Sequence, residues 1–384
     1  MNNNRIWLSL AHMGGHEQDF IKEAFDTNWV APMGPNLDAF EKDLEQFLGN
    51  GVFVAGLSAG TAALHLGLIL SGVKAGDEVI CQSFTFSASA NPIAYQGATP
   101  VFIDSERDTW NMSPEYLEQA IKDRIAKGKK PKAIIPVHLY GMPAKMDEIS
   151  AIAEHYEIPV LEDSAEALGS MYKGIHCGTF GEMAVLSFNG NKIITTSGGG
   201  ALVSKNEEHI KKARFLSTQA RDVAPHYQHS QIGYNYRMSN IVAGIGRGQM
   251  LVLPERVEQR RKNNQFYRNH LAGIEGITFQ TEPSSDFYSN YWLTSVIIDP
   301  EKTGGVTRED LRLALEKANI ESRPLWKPMH LQPVFEHCPF YGDGTGESLF
   351  NDGLCLPSGS ILTEGDLARV VEIIREEIDN KASM

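Results

Sequence analysis

The stretch Leu186-Ser-Phe-Asn-Gly-Asn-Lys-Ile-Ile-Thr-Thr-Ser-Gly-Gly-Gly200 carries one lysine, Lys192, out of an apolar run and into a loop of small residues. The run Met183-Ala-Val-Leu-Ser-Phe188 predicts a strand buried on both faces, and Gly198 to Gly200 permit turns that residues with a β-carbon resist. An ammonium drawn into a desolvated, polar-lined pocket gives up its proton more readily, which frees the amine that attacks a carbonyl cofactor. Lys192 is therefore the candidate catalytic residue, its alternative being a solvated loop residue. A phosphate loop is excluded, because that motif needs Gly before the lysine and Ser or Thr after it, whereas Asn191 and Ile193 stand there.

Upstream, the apolar strand Ile158-Pro-Val-Leu161 ends in Glu162-Asp163-Ser-Ala-Glu166. Ligands of open α/β sheets gather at the carboxyl ends of strands. Pyridoxal phosphate acts as an electron sink only while its ring nitrogen stays protonated, and a carboxylate keeps it so. Asp163 suits that task; its alternative is a helix N-cap. Leu57-Ser-Ala-Gly-Thr61 lies between a strand and a helix, where Gly60 and Thr61 would face a phosphate, unless it is an ordinary turn. Ser83-Phe-Thr-Phe86 follows another strand, and Phe86 either lies against a pyridine ring or fills core. Thr61, Phe86, Asp163 and Lys192 at successive strand ends match the order used by a fold-type I pyridoxal phosphate enzyme.

Working outward, strands over Val52–Ala55, Glu78–Gln82, Pro100–Ile103 and Ala133–His138 alternate with helices over Thr61–Leu70, from Ser113-Pro114-Glu115, and over Lys145–Tyr156. This predicts an α/β fold with a mostly parallel sheet. After Pro254 the pattern changes to a long charged helix (255–271), a strand (292–298), a helix (307–318) and a last helix (363–378) with Thr363 and Asp366 at capping-box spacing. The expected domains are 1–250, a large cofactor-binding unit with an N-terminal segment, and 251–384, a smaller α+β unit. Tyr341-Gly-Asp-Gly-Thr-Gly346 is expected to be a loop.

The 384 residues are 42% hydrophobic with a net charge of −13, enough for a large core and unfavourable for nucleic acid. Cysteines 81, 177, 338 and 355 lack zinc-ligand spacing, and His226 with His229 lacks further ligands, so no metal is assigned. The N-terminal apolar stretch is too short for a signal peptide and no run approaches a membrane span, so no membrane association and a cytoplasmic location are expected.

These motifs, with Asn28-Trp-Val-Ala-Pro-Met-Gly34, His138-Leu-Tyr-Gly141 and Gly233-Tyr-Asn-Tyr-Arg-Met238, resemble the DegT-type aminotransferases of nucleotide-linked keto sugars over nearly the whole chain. The resemblance implies an aspartate aminotransferase-like, fold-type I enzyme with helices on both faces of its sheet, cycling between pyridoxal and pyridoxamine 5'-phosphate. It implies that Lys192 holds the cofactor covalently, Asp163 pairs with the ring nitrogen and Phe86 stacks on the ring. Ser187, Thr61 and the Gly60 backbone would hold the phosphate, with Asn235 reaching it from the neighbouring subunit of a homodimer with shared active sites. Glu166 stands where the wider family has glutamine, near the ring hydroxyl. Ser197–Gly200, Ala213–Arg221 and Arg323–His330 are similar to the bacillosamine-pathway branch, implying glutamate as donor and C4 of UDP-2-acetamido-2,6-dideoxy-4-keto-hexose as acceptor. The alternatives are a dTDP- or GDP-linked keto sugar, or a regulatory protein that binds the cofactor without turnover. C3 deoxygenation is disfavoured, because family members with that chemistry replace the lysine by histidine. Arg237 either meets substrate or clamps its own loop; Trp326 and His330 either line the sugar pocket or pack.

Overall fold

A computed structural model describes residues 4–382; residues 1–3, which begin the N-terminal stretch noted above, and 383–384 lie outside the described residues. Helices α1 (Glu17–Asp26) and α2 (Pro35–Leu48) lead into β1 (Phe53–Leu57), α3 (Gly60–Leu70) and β2 (Glu78–Gln82). Next come α4 (Asn91–Tyr95), β3 (Thr99–Ile103), α5 (Pro114–Ala126), β4 (Ile134–Ile135), α6 (Met146–His155) and β5 (Leu161–Asp163). A small hairpin, β6 (Met171–Tyr172) and β7 (Ile175–His176), precedes β8 (Met183–Ser187), β9 (Gly200–Ser204), α7 (Glu207–Ser217) and α8 (Asn240–Met250). The remainder is α9 (Leu253–Leu271), β10 (Ile277–Phe279), β11 (Phe287–Tyr288), β12 (Thr294–Ile298), α10 (Arg308–Lys317) and β13 (Arg323–Pro324). It closes with β14 (Phe340–Tyr341), α11 (Thr345–Asp352), β15 (Gly353–Leu356) and α12 (Glu364–Ala382).

Strands β14, β3, β2 and β4 are parallel neighbours, and parallel bridges Ile134–Val160 and Val137–Asp163 carry that sheet on to β5, which pairs in parallel with β8. Strand β9 runs against both β8 and β1, so the expected mostly parallel sheet is present with one reversed strand. Its strands are apolar throughout because helices cover both faces. Ala55, Leu57, Val79, Cys81, Phe102, Val185 and Leu202 pack with α3 and α7, whereas the alternate residues Val54, Ala184, Leu186 and Ala201 pack with α2 and α8. Farther along that second face, Ile80, Val101 and Ile134 meet α5 and α6. Phe40 of α2 is fully buried edge-on to Phe188, so truncating it to alanine would cost about 3–5 kcal/mol.

Ser113 caps α5 with Pro114 in the first turn, and Thr363 and Asp366 exchange hydrogen bonds of 2.7–3.2 Å at the start of α12. Three expectations shift. Strand β5 starts at Leu161, which makes Asp163 its last residue; Pro159 has no N–H to offer a ladder. The strand expected over Ala133–His138 contracts to Ile134–Ile135 because Pro136 interrupts it. The glycine-rich 341–346 segment begins as the end of β14 and runs into α11, with Asp104 accepting from the Gly344 and Gly346 N–H groups at 2.8 Å.

The antiparallel sheet β10-β12-β15-β13 with α10 and α12 forms the smaller α+β layer. The chain crosses the expected 250/251 boundary in both directions. Strand β14 joins the large sheet and β11 pairs with β6, while Ile6 lies in the small unit's core beside Ile320.

Candidate active site

A cavity of about 740 Å³ lies at the carboxyl ends of β1, β5 and β8, closed on its other side by residues of the small unit. Its inner end is the start of α3. Ala59 is extended and no side chain caps the helix, so the first N–H groups beside Gly60 and Thr61 are left for a ligand. The approach is tight: a β-carbon on Gly200 would sit 2.3 Å from the Gly60 nitrogen, and one on Gly60 would lie 3.1 Å from the Ser187 Cβ. Only small residues bring β9, the Ser187 hydroxyl and the helix start together here.

Lys192 enters from the adjoining loop, whose strained residue is Ser197 at φ 70°. Phe188 N donates to Gly199 O and Thr196 N to Phe188 O, both at 2.9 Å, which pins the loop's two ends together. Its carbonyls are held from far away: Ser9 Oγ and Trp292 Nε1 each donate to Asn191 O at 2.7 Å, and Arg260 donates to Lys192 O at 3.4 Å. Arg260 also donates to Ser9 Oγ at 2.9 Å and Trp292 O at 2.5 Å, and its complete burial pushes its guanidinium down to about 9. The Lys192 ammonium rests 4.3 Å from the Trp292 ring centroid and 3.4 Å from Glu166 Oε1.

Glu166 is buried, and burial pushes its carboxyl up to about 7 against the pull of Lys192 and of the Tyr140 N–H, which donates at 2.7 Å. Asp163 is oriented by two donors, Ser89 Oγ at 2.7 Å and Ala165 N at 3.1 Å. Behind it, Ala144 N donates to His138 Nδ1 at 2.9 Å, which leaves Nε2 as the nitrogen that donates to Glu162 at 2.7 Å. Glu162 also accepts from Phe180 N and Gly181 N, so β5 is tied to the segment that leads into β8.

Of the residues singled out in the sequence, Gly60, Thr61, Phe86, Asp163, Glu166, Ser187, Lys192 and Trp326 line this cavity. Phe86 is 55% exposed and tilts against Trp326 at 5.6 Å, so it is not core filling. Arg237 is elsewhere: its guanidinium lies 2.5 Å from Glu41 Oε1 and donates to Gly56 O at 2.8 Å, which makes it the clamp of its own loop rather than a substrate contact. His330 is also outside, stacked on Phe340 and 2.7 Å from Ser83 Oγ. Asn235 is exposed and does not line the cavity of its own chain. Among the described residues no metal-ligating group is assembled and no helix is long and apolar enough to cross a membrane. Sequence inspection missed Ser89, Trp292, Arg260 and Glu321, which carry no local motif, and named Arg323 only as the first residue of a segment, without a role.

The donor set suits pyridoxal phosphate. Uncapped helix N–H groups and a hydroxyl fit its phosphate, an oriented carboxylate fits its ring nitrogen, and a lysine amine fits its aldehyde. Residues 12–375 match the DegT/DnrJ/EryC1/StrS aminotransferase family. EpsN of Bacillus subtilis, provisionally described as a pyridoxal phosphate-dependent aminotransferase, is 53% identical over 374 residues, covering 96% of this chain and 95% of its own. GDP-perosamine synthase of Caulobacter vibrioides is 36% identical, covering 96% of each chain. Among solved structures, Spr1654 of Streptococcus pneumoniae, provisionally described as a sugar aminotransferase and determined in its PLP-form, superposes with a TM-score of 0.89 at 26% identity, covering 98% of this chain and all of that one.

Proposed function

From the premise that the chain belongs to the DegT/DnrJ/EryC1/StrS aminotransferase family, we propose that it moves an amino group from glutamate to C4 of a nucleotide-linked 4-keto-6-deoxy sugar. Membership makes it a pyridoxal phosphate-dependent sugar aminotransferase. The expected acceptor is UDP-2-acetamido-2,6-dideoxy-4-keto-hexose. The observation that carries the aminotransferase reading is the convergence of Lys192, Asp163, Glu166 and the open start of α3 on one cavity.

When bound, the cofactor supplies an electron sink that stabilises charge on the carbon losing a proton. The chain supplies the rest. The start of α3 and Ser187 would hold the phosphate, and Asp163, fixed by Ser89 and Ala165, would keep a proton on the ring nitrogen. Lys192 Nζ would take the proton from the donor's α-carbon and hand it to the cofactor's exocyclic carbon, across the transferred nitrogen, and would run the same transfer in reverse for the sugar. Trp292 beneath the amine and buried Glu166 beside it limit where Nζ can reach.

Support for the UDP-acetamido acceptor is the likeness of segments 197–200, 213–221 and 323–330 to the bacillosamine branch. A GDP-linked acceptor is the second reading, favoured by the likeness to GDP-perosamine synthase. A pocket built around the acetamido group penalises analogues lacking it by roughly 1–3 kcal/mol for each unpaired polar partner, about ten-fold to a hundred-fold in kcat/KM. Comparing kcat/KM for the UDP-acetamido ketose, dTDP-4-keto-6-deoxyglucose and GDP-4-keto-6-deoxymannose tests this. Preference for either of the last two would replace the acceptor and leave the chemistry in place.

The proposed assembly is a homodimer in which Asn235 serves the partner's phosphate site. Asn235 is exposed, and Trp29, Val30, Met33 and Ile232, each about half exposed or more, lie on the same or bridged segments. Such an apolar surface suits a second copy.

A further inference from the structure

Arg237, one of whose two open roles was to meet substrate, is held by Glu41 outside the cavity, which leaves Lys192 and Arg323 as the only cations among the described residues lining it. Lys192 is committed to the cofactor. Asp163, Glu166 and Glu321 line the same cavity, so an anion entering it meets carboxylates on several sides. Both substrates of the proposed reaction are anions, the donor through its carboxylates and the acceptor through its diphosphate.

We propose that Arg323 receives the anionic oxygens of the incoming substrate, an inference that rests on the transamination read from this site. Arg323 opens β13, opposite Cys355 of β15, which also lines the cavity. Its Nε donates to Glu321 Oε1 at 3.0 Å and its Nη2 lies 2.9 Å from the same oxygen, while its Nη1 has no hydrogen-bond partner among the described residues. Glu321 is itself fixed, because its other oxygen accepts from Leu8 N at 3.0 Å. The guanidinium is thus oriented at the mouth yet 68% exposed, and an exposed pair of this kind is weak. A carboxylate or phosphate offering two oxygens to the planar fork makes stronger, bidentate bonds.

The test measures calorimetric binding of two unreactive probes, UDP for the diphosphate and glutarate for the dicarboxylate, to cofactor-loaded wild type, Arg323→Gln and Arg323→Lys. Arg323→Gln should weaken at least one probe about ten-fold or more, as expected for lost charge-assisted hydrogen bonds, and Arg323→Lys should recover part of that loss. The probe that weakens tells which anion the residue holds. Unchanged affinity for both probes, or no binding of either to wild type, overturns the proposal. If wild type aminates no nucleotide sugar but binds a probe through Arg323, the transamination reading fails and the anion site stands.

Discussion

The inner end of the cavity at α3 and its mouth at β13 meet ligands by different means. At the inner end, one contiguous segment, residues 57–61, offers backbone N–H groups, and the glycine at 200 lets a neighbouring strand approach to within contact. At the mouth, side chains far apart in the chain meet, from Leu8 and Ser9, Trp292 and Leu293, and Glu321, Arg323, Pro324 and Trp326. Backbone donors can change little without breaking the fold, whereas long exposed side chains such as Arg323 can be exchanged singly. The first arrangement suits a firmly held cofactor; the second suits an adjustable choice of substrate.

The largest effect is expected at the inner end. Asp163→Asn should keep its two local contacts, because the Ser89 hydroxyl can accept as well as donate, yet lower the glutamate half-reaction on the order of a hundred-fold or more as the ring nitrogen loses its carboxylate. Single-turnover absorbance measures this, and near-normal rates would remove Asp163 from the ring nitrogen.

An intermediate effect concerns the contact between copies. Mixing Lys192→Ala subunits with an Asn235 variant crippled in cofactor binding should create heterodimers in which one site carries both native residues, and activity should return. Heterodimers shown to form without regained turnover would confine each site to one chain.

The smallest effect separates Glu166 from the rest of the pocket. Its carboxyl ordinarily titrates at 4.5 and burial holds it at about 7 in the folded protein, so folding takes up a proton between those values. Its contribution to stability is therefore favourable in acid and declines as pH rises from 4.5 through 7. In cofactor-free protein the melting temperature of wild type should fall relative to Glu166→Gln over that interval. Parallel melting curves would mean that Glu166 is not desolvated as described.

What was legible in the sequence follows the same division. Lys192, Asp163 and Thr61 each sit where a strand pattern gives way to a short polar or small-residue turn, so local spacing marked them as candidates beside a solvated loop, an N-cap and an ordinary turn, and the fold brings all three to one cavity. The extent of β5 was misplaced because apolar Ile158 and Val160 outweighed the proline between them. Arg237 had two open roles, and only the fold brings Glu41 of α2 against it to settle on the clamp. Ser89, Trp292 and Arg260 act by contacts with residues distant in the chain, and periodicity records nothing of such contacts.

The account turns on one amine, and chemical trapping tests it directly. Borohydride reduction of the cofactor-loaded protein, followed by proteolysis and mass mapping, should place a single phosphopyridoxyl group on the peptide containing Lys192. Attachment to any other lysine, or a loaded protein that yields no reduced adduct, would contradict the assignment.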